Sequence, residues 1–257
     1  MRMNKREKPD GITRREAIKK MGIAATGIGL GIGGVNALDV FGSGGSGRRM
    51  KVLLVNGSPH REGCTYTALS EVARALEESG IETEIYWIGT QPLAGCIGCG
   101  VCGTTGRCFM QDIVNEFLDK AKGFDGFVFG APVHFAAIPG LMTSFMNRTF
   151  FSARTHHEFQ GKPATAVTSS RRAGSLTTLD QFNRYFIHGG MPVVPSQYWP
   201  MVYGNTPEEV RKDEEGLQIM RTLGRNMAWM LKCIDVSEQA ELNYPERESR
   251  VSTNFIR

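Results

Sequence analysis

The sequence predicts a doubly wound α/β domain: five parallel strands in the order 2-1-3-4-5, with helices on both faces in a three-layer α/β/α arrangement. Three observations predict it. From residue 51 onward, short apolar runs alternate with amphipathic helical stretches. The first run ends in a Gly-Ser-Pro turn that leads into a helix. The chain has 257 residues, 41% hydrophobic and 22% charged, enough apolar content for one packed core. Alternating strands and helices imply a parallel sheet covered on both faces, and right-handed crossovers leave few strand orders.

The elements follow in turn. Lys51-Val52-Leu53-Leu54-Val55-Asn56 is a buried strand entering the turn Gly57-Ser58-Pro59. A helix is predicted over 65–79, with Leu69, Val72, Ala73 and Leu76 on one face, and Gly80 stops it. Residues 81–88 alternate Ile81, Thr83, Ile85 and Trp87 with Glu82 and Glu84, the pattern of a half-buried strand near an edge. Beyond a cysteine-rich loop, 112–122 is helical, 125–130 is a second buried strand and 139–150 is helical. A fourth strand is expected over 164–169, a helix over 176–188, a fifth strand over 191–194 and a long last helix over 207–233. Cys233 reads as core within that helix. Residues 235–257 are charged and patternless.

The formal net charge of +4 sits in the wrong place for nucleic-acid binding. Residues 1–37 hold eight Lys/Arg and three acidic residues, so the remainder is close to neutral and nucleic acid is excluded as a partner. The basic segment 1–20 precedes an uncharged, glycine-interrupted stretch over 21–38, then Val35-Asn36-Ala37 with small residues suited to cleavage. Its Thr13-Arg14-Arg15-Glu16-Ala17-Ile18-Lys19 resembles a twin-arginine export signal, with Ala17 where an aromatic residue is usual. The expectation is export to the periplasm or cell surface, or a cytoplasmic location if the signal is not functional. Any membrane contact would be through this segment alone. Gly42-Ser43-Gly44-Gly45-Ser46-Gly47 is a flexible tether by composition. The chain thus divides into a signal and linker (1–47), an α/β domain (48–234) with its cysteine-rich loop at 91–110, and a tail (235–257).

In such folds, ligands sit at the carboxyl ends of the strands beside the switch in strand order. The loop Gly57-Ser58-Pro59-His60-Arg61-Glu62-Gly63-Cys64-Thr65 leads straight into a helix whose N-terminus suits a phosphate. Ser58 and Thr65 bring hydroxyls and Arg61 a charge, but the pattern matches neither G-x-G-x-x-G nor the P-loop. An ordinary turn with a Ser/Thr cap is the competing reading. The segment Asn56-Gly57-Ser58-Pro59…Gly63-Cys64-Thr65 resembles the flavin-phosphate loop of the flavodoxin-like, NADPH-dependent FMN reductase family, with Cys64 where Asn is common. Gly130-Ala131-Pro132-Val133-His134-Phe135 is similar to the family's isoalloxazine loop, with His134 where Tyr is frequent. Thr168-Ser169-Ser170-Arg171-Arg172-Ala173-Gly174 is similar to its third flavin loop. The resemblance implies FMN as cofactor, an FMN-dependent oxidoreductase activity and a homo-oligomer, dimer or tetramer. His134 reads as structural, and Arg171 and Arg172 either meet flavin carbonyls or another subunit or form a solvated basic loop. Trp199 either covers a flavin face or packs in the core.

Cys96, Cys99, Cys102 and Cys108 are spaced C-x2-C-x2-C-x5-C, close to the cluster-binding run of bacterial ferredoxins. Gly98, Gly100 and Gly103 would let the backbone curl around a 4Fe-4S cluster, and the loop resembles that of the iron–sulfur flavoproteins. Zinc is a competitor, although its sites usually pair two separated C-x-x-C turns; disulfides Cys96–Cys99 and Cys102–Cys108 are another. The leading expectation is an exported iron–sulfur flavoprotein passing electrons between a 4Fe-4S cluster and FMN, with no dedicated general acid or base. Its donor and acceptor stay unassigned. The first alternative is an NAD(P)H-dependent FMN or quinone reductase with structural cysteines. The second is a non-enzymatic binding module stabilised by zinc or disulfides.

Overall fold

The computed structural model describes residues 49–249, 251–253 and 255, so the twin-arginine-like segment and the glycine-serine tether lie outside the described residues. The elements, in chain order, are β1 (Lys51–Asn56), α1 (Cys64–Glu78), β2 (Glu82–Trp87), a short α2 (Cys102–Thr105), α3 (Ile113–Ala121), β3 (Gly126–Pro132) and α4 (Gly140–Ala153). A 3₁₀ turn at Arg154–His156 leads on to β4 (Ala164–Ser170), α5 (Ser175–Gly189), β5 (Met201–Tyr203), a one-turn α6 (Pro207–Val210) and α7 (Glu214–Gln239). All strand pairs are parallel and the sheet order is β2-β1-β3-β4-β5, as the sequence predicts.

Alternation along the strands splits the core into two layers. Leu53 and Val55 of β1 join Phe127 and Phe129 of β3, Phe117 of α3, Phe145 of α4 and Phe182 and Phe186 of α5. Val52 and Leu54 face the other side, with Val128, Leu69 and Leu76 of α1 and Met220, Leu223 and Met227 of α7. Each such side chain contributes about 1.5–3 kcal/mol of burial. The first layer is aromatic, with Phe117 edge-on to Phe145 at 5.0 Å and Phe127 stacked on Phe129 at 6.1 Å. On the second, α1 and α7 lie close enough that a Cβ at Gly224 would stand 2.7 Å from the Val72 carbonyl oxygen.

Three expectations are corrected. The fifth strand is Met201–Tyr203; the 191–194 run makes only an isolated bridge, Val193 to Ala164. Proline contributes to the difference: the Val194 N–H donates to the Ala164 carbonyl and the Ala164 N–H to the Pro192 carbonyl, and Pro192 has no N–H with which to extend that ladder toward its start. The last helix is interrupted at Arg211–Asp213, where Asp213 caps α7 by accepting from the Gly216 N–H at 3.0 Å. It then continues past residue 235 to Gln239, and Cys233 is exposed on it.

Both borders of the sheet are modest. β2 carries Glu82 and Glu84, which pair with Arg49 and Lys51 and with Lys120 respectively. β5 has three residues. No described helix is long and apolar enough to cross a membrane.

Candidate functional site

The loop after β1 is organised by Asn56. Its Oδ1 accepts from the Ser58 N–H at 3.0 Å and its Nδ2 donates to the Arg61 carbonyl at 2.9 Å. Ser58 Oγ accepts from the His60 N–H at 3.1 Å, an ST-type turn that carries the chain past Pro59 to Gly63. The end of β2 braces the loop: Trp87 Nε1 donates to the Ser58 carbonyl at 2.8 Å, and the Arg61 guanidinium stands 5.7 Å over the Trp87 ring. α1 then starts at Gly63 with no side-chain cap and no acidic residue in its first turn. Its first amides therefore keep their capacity to donate, and the helix dipole points its positive end at the loop.

Cys64 and Thr65 face inward. Cys64 Sγ donates to the Gly204 carbonyl at 3.7 Å. Burial is the main force pushing its thiol pKa up, partly offset by a backbone hydrogen bond and assisted by Glu209 and Glu208. It is a neutral anchor to the loop after β5. Thr65 Oγ1 lies 2.9 Å from Ser169 Oγ, a buried hydroxyl pair joining the start of α1 to the end of β4.

The loop after β3 is a tight turn. Ala131 is buried and Pro132 ends the strand; the Val133 N–H donates to the Ser169 carbonyl at 2.9 Å. His134 and Ala137 exchange both backbone hydrogen bonds, at 3.0 and 3.1 Å. Between them Phe135 and Ala136 have φ of 49° and 64°, the paired left-handed pattern of a type I′ turn. The Phe135 side chain is fully exposed at the tip. The turn rests on the loop after β4, where Gly174 (φ +91°) sits so close that a Cβ would lie 2.6 Å from Val133 Cγ1. Ser170 Oγ pairs with Ser175 Oγ at 2.9 Å, while Arg171 and Arg172 are exposed. With the Gly57 N–H donating to the Gly130 carbonyl at 2.8 Å, the three predicted loops form one rim beside the strand-order switch. Trp199 is half exposed and lies outside the buried core.

The cysteine loop is built differently from its expectation. Cys96 and Cys99 are exposed, Cys102 is buried and Cys108 is intermediate; all four are free thiols bordering one small pocket. Among the described residues, no group of three or more His, Cys, Asp or Glu side chains is placed to hold a metal ion. The expected 4Fe-4S ligand set of Cys96, Cys99, Cys102 and Cys108 is therefore corrected, and zinc and the two disulfides with it. The local reason is visible in the backbone and in Arg148. The spacer after Cys102 winds into α2 and closes at Gly106 (φ +68°), and Cys108 Sγ is held by Arg148 Nε at 3.2 Å.

Arg148 was not legible as a functional residue. Its side chain is fully buried in α4 and its guanidinium ties the whole loop together. It reaches Asp112 through two bonds of 2.7 and 2.9 Å, the Ala94 carbonyl at 3.3 Å and the Met110 carbonyl at 3.2 Å. Burial alone would lower its pKa, but Asp112 and then Cys108 outweigh this and hold it above the ordinary guanidinium value. Asp112 also caps α3 by accepting from the Val114 N–H, and buried Asn115 bonds the Cys108 N–H and carbonyl at 2.9 and 3.0 Å. The available signal was a lone charge in the otherwise uncharged run of α4.

Comparison with known proteins agrees with this architecture. The family model described as NADPH-dependent FMN reductase matches residues 50–206. The chain belongs to the NADPH-dependent FMN reductase family. Among curated relatives of this family member, an iron-sulfur flavoprotein of Methanocaldococcus jannaschii is 35% identical over 192 residues, covering 72% of this chain and 99% of the relative. One of Methanosarcina thermophila is 24% identical, covering 72% and 97%. Among solved structures, a WrbA-like flavodoxin from Agrobacterium tumefaciens superposes with a TM-score of 0.52 at 15% identity, covering 72% of this chain and 98% of that one. RosB reaches 0.55 at 16% identity, covering 80% and 92%. Family and fold together support enzymatic, FMN-linked redox activity in the broad sense.

Proposed function

We propose that this chain is an FMN-dependent reductase that takes electrons from a nicotinamide-type donor and passes them to a flavin or quinone-type acceptor. The observation that carries the reading is the uncapped start of α1 behind the 57–63 loop, a set of backbone donors with no acidic residue in the helix's first turn. These donors fit a flavin phosphate. In this reading the first-turn amides of α1, Ser58 and Arg61 hold the phosphate. The backbone of Ala131–Phe135 borders the ring, and Gly174, Ser170, Arg171 and Arg172 flank it. FMN, when bound, supplies a ring that takes up and releases an electron pair. The protein's residues bind and orient it, and the turn held against Gly174 fixes how closely the backbone approaches. We also take the protein to be a homo-oligomer, to be checked by sedimentation.

Two measurements test the reading. Equilibrium binding of FMN to the purified chain should be tight, and Ser58→Ala together with Arg61→Ala should weaken it at least tenfold, the scale of a lost charge-assisted hydrogen bond. Anaerobic stopped-flow mixing of the FMN-loaded protein with NADPH should bleach the flavin band at ~450 nm within seconds. Failure to retain FMN overturns the whole reading; retention with no response to NADPH overturns the nicotinamide donor.

A further inference from the structure

At the far end of α4 from the flavin-type rim, a cavity of about 190 Å³ opens between the ends of α4 and α5. From Gly140 at the rim to Phe151 at the cavity is about 16 Å along the helix, at ~1.5 Å per residue. The cavity is therefore separate from the site described above. Its walls are aromatic: Phe150 lies 5.4 Å from Tyr185 and 5.0 Å from Phe159, centroid to centroid. Cavities of ~150 Å³ accept a benzene ring, so this one has room for a single substituted ring.

Its mouth is basic. Arg154 and Arg247 stand there with His157 and His188, and no carboxylate lines the cavity. Among the described residues, neither arginine makes an ion pair. The Arg154 guanidinium instead lies 4.6 Å over the Phe151 ring, which holds it at the edge of the cavity. Arg247 is brought in by the C-terminal segment, which docks where the Tyr244 hydroxyl donates to the Gly190 carbonyl at 3.3 Å. His157 sits at the mouth with a left-handed φ of 53°, an uncommon conformation for a non-glycine residue.

We propose that this cavity binds a small aromatic carboxylate, its ring against the wall formed by Phe150, Phe159 and Tyr185 and its anionic group between Arg154 and Arg247. Aromatic walls alone would take a neutral ring, and two arginines alone would take any anion; the combination selects a molecule carrying both.

Calorimetric titration of the full chain with benzoate at low salt tests it. One saturable site is expected, with cyclohexanecarboxylate and benzyl alcohol each binding at least about tenfold more weakly. Arg154→Ala and Arg247→Ala, both exposed and so harmless to folding, should each weaken benzoate about tenfold. Ile187→Ala, exposed on α5 outside the cavity, should leave the affinity unchanged. No saturable binding up to about 20 mM benzoate, well beyond the millimolar affinity of weak ligands, would overturn the proposal. So would benzyl alcohol binding as tightly as benzoate, or unchanged affinity in both arginine variants.

Discussion

Replacing Arg148 of α4 with methionine should cost more stability than any single change within the cysteine loop it holds. Methionine fills a similar volume, so little of the loss comes from a cavity. The guanidinium makes five bonds, two of them to Asp112 and the rest to Cys108, Ala94 and Met110. Breaking a buried pair typically costs about 3–5 kcal/mol. Asp112 keeps a side-chain exposure of 32%, so water recovers part of its solvation and the lower end of that range applies. A loss of about 3 kcal/mol corresponds to roughly 6–12 °C in Tm for a domain of this size. The assay is urea and thermal unfolding of the wild type, Arg148→Met, Asp112→Asn and the double variant. The double variant should be little worse than Arg148→Met, giving a coupling of about 1–3 kcal/mol. A loss below about 1 kcal/mol, or strict additivity, would refute the view that Arg148 organises the loop.

Gly174→Ala should destabilise the protein by about 1–3 kcal/mol, through positive φ and the close approach to Val133, and should weaken FMN binding in the same titration. Burial, with smaller help from Glu116 and Glu84, raises the Tyr86 pKa to about 12. The folded state then holds the phenol proton more tightly than the unfolded one, so this contribution is full below pH ~10 and falls as pH rises toward ~12. Tyr86→Phe should flatten that alkaline decline in denaturation curves, and an unchanged slope would count against it. For the N-terminal segment, cell fractionation of the native chain against Arg14→Lys/Arg15→Lys should show a shift from an exported to a cytoplasmic location. An unshifted distribution would discard the export reading.

The sheet order and three of its loops were readable because buried parallel strands announce themselves as apolar runs followed by turn residues. Lys51–Asn56 and its Gly57-Ser58-Pro59 exit are the clearest case. The fifth strand was not readable, because 191–194 has the composition of a buried strand while Pro192 removes a donor that the ladder needs. The cysteine spacing showed that four thiols share a short arc. It could not show that one would be held by a guanidinium 40 residues away, since that contact depends on how α4 packs against the loop. Ser169 and Thr65 illustrate the same limit: both were placed on the rim, but their mutual hydrogen bond is a product of tertiary packing.

The two margins of the sheet have a consequence for crowded solutions. One presents acidic side chains already neutralised by neighbouring lysine and arginine, and the other runs for only three residues. The six-residue outer edge of β2 is guarded by charged side chains, and β5 offers a foreign backbone only three residues to pair with. Growth of this protein into extended fibrils by strand addition is thereby discouraged at both ends.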